Sequence, residues 1–143
     1  MLIGEFQHNI DKKGRVFIPA KLRDDLGESF VVSKALDGTP CLFVYSLEEW
    51  QRLNDRLKET SFVKARSLQR FFFGGAVQME YDAQGRACIP QNLREYAGLA
   101  EGETATIVGA SNRIEIWNSE QWREEMDKIT PETIVDILTD LDF

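Results

Sequence analysis

A thirteen-residue block occurs twice in this chain. Asp11-Lys-Lys-Gly14-Arg15-Val-Phe-Ile18-Pro19-Ala-Lys-Leu22-Arg23 returns 71 residues later as Asp82-Ala-Gln-Gly85-Arg86-Ala-Cys-Ile89-Pro90-Gln-Asn-Leu93-Arg94. Seven of the thirteen positions are identical: Asp, Gly, Arg, Ile, Pro, Leu and Arg. The echo continues, since Val44-Tyr45-Ser46-Leu47-Glu48-Glu49-Trp50 matches Ile116-Trp117-Asn118-Ser119-Glu120-Gln121-Trp122 at an offset of 72. Two similar but non-identical halves imply a duplicated unit and a molecule with pseudo-two-fold symmetry. At 143 residues the chain suits one domain, whereas each half alone would be marginal. A single core shared by two interlocked halves is the expected solution, with boundaries at 1–73 and 74–143.

Turn chemistry organises each copy. Gly4 to Ile10 alternates as a strand does. Asp11 can accept backbone N–H groups two or three residues on, and Gly14 supplies the positive φ that closes a short hairpin loop. Arg15 to Ile18 is then the returning strand, and Pro19 stands where a helix begins. A short helix over 21–26 stops at Gly27, and apolar strands are expected at 30–33 and 41–45. Ser46-Leu-Glu-Glu49 is a capping box that opens a helix with Trp50, Leu53 and Leu57 on one face. A second helix over 62–72 runs up to Gly74-Gly75. The second copy repeats this order, with strands at 75–81, 86–89, 104–109 and 113–117 and helices at 91–97 and 119–128. Thr130-Pro131 starts a last amphipathic helix carrying Ile134, Ile137, Leu138 and Leu141. The fold class is therefore α+β, with the unit β-turn-β-α-β-β-α.

Enzyme signatures do not survive inspection. The one histidine, His8, has Met79 as its counterpart in the second copy, and no nucleophile sits in a recognisable elbow. One His and two distant cysteines, Cys41 and Cys88, cannot build a typical zinc site, and both thiols are expected to be buried core residues. No metal, cofactor or catalytic residue is expected. Asp11 and Asp82 could pair as acid and base, but each is already needed to start a turn. No run is long and apolar enough for a membrane span, and the N-terminus lacks the pattern of a signal peptide, which points to a cytoplasmic protein.

A formal charge of −7 argues against nucleic acid until its distribution is considered. Residues 1–23 and 62–94 each carry five Lys/Arg against two acids, while residues 115–143 carry nine acids against two bases. The repeated motifs are locally basic and the C-terminus holds the acidity. Arg15 and Arg86 each follow a turn glycine, so each projects from the tip of a two-stranded ribbon. One reading is that Asp11 and Asp82 merely pair with them across the turn. The other is that a forked, permanently charged guanidinium on a ribbon tip reads phosphate or a guanine edge, held in orientation by its carboxylate. Lys12 and Lys13 flank the first arginine, whereas Ala83 and Gln84 flank the second.

At these residues the sequence resembles the MraZ family of bacterial transcriptional regulators. The resemblance rests on Asp11-x-x-x-Arg15 and Asp82-x-x-x-Arg86, Gly4-Glu-Phe-Gln-His8, Arg70-Phe-Phe-Phe-Gly74 and Asn112-Arg-Ile-Glu-Ile-Trp117. One motif copy alone would suggest only the wider AbrB-like class. The resemblance implies a tandem swapped-hairpin β-barrel with flanking helices, built from two SpoVT/AbrB-like repeats in one chain. It further implies ring-shaped homo-oligomers, a nucleoid-associated location, and binding to short direct repeats in double-stranded DNA upstream of the chain's own division and cell-wall operon. Arg15 and Arg86 correspond to the DNA-contacting arginines, with Lys13 and Lys12 assisting and Asp11, Gly14, Asp82 and Gly85 forming the turns. Two other readings stay open: a protein-interaction scaffold without DNA binding, and a small enzyme using Asp11 and Asp82.

Overall fold

The computed structural model describes residues 1–143. In the first half, β1 (Leu2–Asn9), β2 (Arg15–Phe17), α1 (Ala20–Leu26), β3 (Ser29–Lys34), β4 (Leu42–Ser46), α2 (Leu47–Leu57) and α3 (Phe62–Leu68) follow one another. The second half has β5 (Val77–Glu80), β6 (Arg86–Cys88), α4 (Gln91–Ala97), β7 (Thr104–Ser111), β8 (Ile114–Asn118), α5 (Ser119–Asp127) and α6 (Pro131–Asp140). The helix expected to reach residue 72 ends earlier, widening after Leu68 into a π-helical turn over Gln69–Phe73.

Strand order shows how the duplication folds. Six strands form one antiparallel sheet in the order β1-β7-β8-β4-β3-β5, and β2 and β6 form a separate pair. Exchanging the two halves reverses that order without changing it, so the pseudo-axis passes between β4 and β8. The same axis runs through the β2–β6 ladder, where Val16 faces Ala87, its own counterpart in the repeat. Each half gives its first strand to the other: β1 pairs with β7, and β5 with β3. The expected local hairpin is therefore corrected. The turn closes, with the Arg15 carbonyl accepting from the Asp11 N–H at 3.1 Å, but β2 ladders with the other half rather than with β1.

A three-residue strand with nothing across it would leave N–H and C=O groups unpaired, and pairing two copies along the axis satisfies both. The exchange also creates one core. Ile10, Val16, Ile18, Leu22 and Leu26 from the first half pack with Ala87, Ile89, Leu93, Ala97 and Leu99 from the second. Neither half could cover these side chains alone, as expected for units of this size.

A smaller cluster of Ala35, Cys41, Phe43, Tyr45 and Trp117 is covered by Trp50 and Leu53 of α2 and Trp122 of α5. The capping box is half realised: Ser46 Oγ accepts from the Glu49 N–H at 3.2 Å, while the Glu49 carboxylate turns to Arg52 at 2.7 Å. Cys41 is buried as expected, and burial pushes its thiol up to about 12. Cys88 is not. It alternates with the buried Ala87 and Ile89 along its strand, so its side chain points outward. No helix is long and apolar enough to cross a membrane.

Candidate nucleic-acid interface

The two turns are built to one plan. Gly14 and Gly85 adopt φ of 77° and 80°, which an L side chain resists. Asp11 Oδ1 accepts from the N–H groups of Lys13 at 2.9 Å and Arg15 at 2.8 Å. Asp82 Oδ1 accepts from Gln84 and Arg86, both at 2.9 Å. The second oxygen of each carboxylate takes the arginine side chain: Arg15 Nε donates to Asp11 at 2.6 Å and Arg86 Nε to Asp82 at 2.7 Å. The Arg15 backbone N–H is the main reason Asp11 is held below the usual carboxylate range, and partial burial opposes it. The Arg86 backbone N–H does the same for Asp82.

The ion pair expected as one of two readings is thus present in both turns, and it leaves the arginines with work to do. Only Nε of Arg15 is engaged. Arg86 adds a longer approach of Nη1 to Asp11 Oδ2, at 3.8 Å. That contact crosses the pseudo-axis, so the two turns form one contiguous site of alternating charge. The Arg15 and Arg86 side chains are 27% and 28% exposed, and their terminal nitrogens have no hydrogen-bond partner in the fold. Such a pre-oriented fork can make a bidentate contact with a phosphate or with O6 and N7 of guanine without first losing rotamer freedom.

Lys12, Lys13 and Lys21 are exposed. Ala83 and Gln84 stand in the places of Lys12 and Lys13 on the second turn, so the site is basic on one side and neutral on the other. His8 lies apart from this chemistry, stacked edge-on against Phe17 with ring centroids 5.0 Å apart. Asp11 and Asp82 spend both oxygens on their turns. No group of three or more His, Cys, Asp or Glu converges as metal ligands.

Two features escaped the reading of the sequence. Arg113, just before β8, alternates with the buried Glu115 and Trp117 on it and forms a relay: Arg113 donates to Glu115 at 2.6 Å and Trp117 Nε1 donates to it at 2.9 Å. The Arg113 guanidinium also lies 4.4 Å from the centre of the Phe43 ring. Period-two spacing of Arg-x-Glu-x-Trp was the available signal. The second feature concerns Arg23 and Arg94, the last identities of the repeated block. Each inclines towards the turn of the opposite half, and their identity in both copies was the clue.

A duplicated, strand-exchanged α+β fold that presents paired, carboxylate-held arginines on its axis defines a double turn-tip module. The family model for the MraZ protein, described as putative antitoxin-like, matches residues 1–71 and again 72–136. The transcriptional regulator MraZ of Heliobacterium modesticaldum (strain ATCC 51547 / Ice1) is 49% identical over 147 residues, covering all of both chains. This chain belongs to the MraZ family.

Proposed function

We propose that this chain is a transcriptional regulator, not an enzyme, that binds specific double-stranded DNA through Arg15 and Arg86. The observation that carries the reading is the doubled turn, which holds two guanidinium forks by Nε and leaves their outer nitrogens without hydrogen-bond partners. Lys12 and Lys13 add phosphate contacts at the first tip, with Lys21 nearby. The name of the Heliobacterium relative supports regulation of transcription. The operator is proposed to be a set of short direct repeats upstream of the chain's own division and cell-wall operon, read in the cytoplasm at the nucleoid. The two repeats, 1–73 and 74–143, are proposed as the units that each supply one tip.

A single chain of net charge −7 offers few phosphate contacts, so its affinity alone is expected to be weak. Ring-shaped self-assembly is part of the proposal, because several linked weak sites gain avidity on successive repeats. Exposed apolar side chains support it: Phe62 and Val63 on α3, Val135 and Ile137 on α6, and Leu141 just after it are all at least half exposed. A contact between two different surfaces builds a ring when its rotation closes. The acidic α6 is proposed to face away from DNA.

A band-shift titration on the chain's own upstream region tests this reading, with a scrambled-repeat control. Retention that depends on sequence and falls with salt is expected. Equal retention of both probes, or none, would favour a protein scaffold instead.

A further inference from the structure

Arg23 and Arg94 are repeated as faithfully as the tip arginines, yet neither lies in a turn. Arg23 sits on α1, where its Nη1 donates to the Ile18 carbonyl at 2.7 Å and reaches the Gly85 carbonyl at 3.5 Å. Arg94 sits on α4, where its Nε donates to the Ile89 carbonyl at 2.9 Å. The space each occupies is informative. A Cβ on Gly14 would meet Arg94 Nε at 2.5 Å and Cζ at 2.7 Å, and a Cβ on Gly85 would collide with Arg23 Nη1. Backbone bonds cross in the same sense: the Ile89 N–H donates to the Gly14 carbonyl and the Ile18 N–H to the Gly85 carbonyl, both at 3.0 Å. Glycine in one turn and arginine on the other half's helix are therefore two parts of a single joint, made twice.

We propose that Arg23 and Arg94 are crossed positioning residues: Arg23, in the first half, sets the tip that carries Arg86, and Arg94, in the second half, sets the tip that carries Arg15. The planar guanidinium fills the volume that glycine leaves open and is anchored to the Ile18 or Ile89 carbonyl of its own half, so the turn cannot sink towards the helix. A lysine could supply the charge but not the flat, forked filler. The two braces differ in their surroundings. Arg23 lies 5.1 Å from the centre of the Phe17 ring and 5.9 Å from that of Tyr81. The counterparts of those rings beside Arg94 are Cys88 and Ile10, which have no aromatic face. The second tip, poorer in charge, thus has the stiffer support.

Because this inference rests on the DNA-binding reading, its test has one arm with DNA and one without. In the DNA-free arm, amide exchange is followed at residues 13–15 and 84–86 of the intact protein. Arg23→Ala should speed exchange at 84–86 by about fivefold, the factor expected from the removal of one hydrogen bond, and leave 13–15 unchanged. Arg94→Ala, which removes packing against Gly14 rather than a hydrogen bond to that turn, should speed exchange at 13–15 and leave 84–86 unchanged. Arg23→Lys and Arg94→Lys, gentler changes, should give the same crossed pattern more weakly. In the DNA arm, Arg23→Ala should add nothing to the affinity deficit of Arg86→Ala but multiply that of Arg15→Ala. Acceleration of each variant's own turn, or of both turns equally, would overturn the crossed brace, as would wild-type exchange in the lysine variants if the alanine variants unfold. Wild-type DNA affinity in both Arg15→Ala and Arg86→Ala would defeat the DNA reading and leave the brace to be decided by exchange.

Discussion

The first and second turns share a skeleton and differ in charge. Their glycine φ values lie 3° apart, and their carboxylate–guanidinium distances differ by 0.1 Å. The flanking residues have diverged completely, from Lys12-Lys13 to Ala83-Gln84. The strands leading in have diverged as well, since β1 pairs over eight residues with β7 whereas β5 pairs over four with β3. The seven shared identities each do something the fold cannot omit. Asp and Gly shape the turn, Arg15 and Arg86 present the fork, and Ile and Leu fill the shared core. Pro starts the helix, while Arg23 and Arg94 face the opposite glycine. Shape is held constant between copies while charge is free to vary. The two tips should therefore be alike in structure and unequal in affinity.

The likeness is easiest to break at the glycines. Gly14→Val and Gly85→Val each force a β-branched residue to positive φ and drive a Cβ into Arg94 or Arg23. Each should cost about 2–5 kcal/mol from strain and overpacking together, read as a lowered urea midpoint. Wild-type stability in both would contradict the turn geometry. The inequality is sharpened by the arginines. Arg15→Ala should weaken specific DNA binding by about 10- to 150-fold, the worth of one bidentate base contact, and Arg86→Ala by less. Neither should move stability by more than about 1 kcal/mol, since each removes a partly exposed ion pair. A large fall in melting temperature with unchanged DNA affinity would instead make the pairs purely structural.

Making the first turn resemble the second is a smaller change. The double variant Lys12→Ala with Lys13→Gln should reduce affinity and flatten the log–log salt slope by about 0.9 for each phosphate that a lysine no longer neutralises. An unchanged slope would show that these lysines do not touch DNA. The smallest effect is on acid stability. Asp11 and Asp82 have folded pKa values below their unfolded ones, so their contribution is complete above the ordinary carboxylate value of about 3.9 and disappears as pH falls through the lower folded value. Wild type should lose more stability than the Asp11→Asn, Asp82→Asn double variant on acidification through that window. Parallel curves would contradict the carboxylate geometry.

Much of this was legible in the chain. The duplication, the turn residues, the order of strands and helices and the paired arginines follow from period, glycine placement and local capping, all of which act over a few residues. What escaped was in part non-local. Nothing near Arg15 says that β2 should ladder with β6 rather than return along β1, because that preference comes from burying Val16 against Ala87 on the axis. Cys88 read as core because it is small and apolar, yet strand alternation turns it outward. The burial of Glu115 was signalled only by its period-two spacing from Arg113 and Trp117, which become its neighbours once this stretch is extended. The half-free state of the arginine forks lay equally beyond reach, being a matter of which nitrogen the carboxylate takes.

The central claim is that two structurally matched tips bind DNA unequally and together. Its most direct measurement is one set of titrations: wild type, Arg15→Ala and Arg86→Ala against DNA bearing one, two and four repeats, at several salt concentrations. Tight binding is predicted only with two or more repeats at fixed spacing, together with a steep salt slope and a greater deficit for Arg15→Ala than for Arg86→Ala. Equally tight binding of all three proteins to a single repeat, without salt dependence, would contradict it.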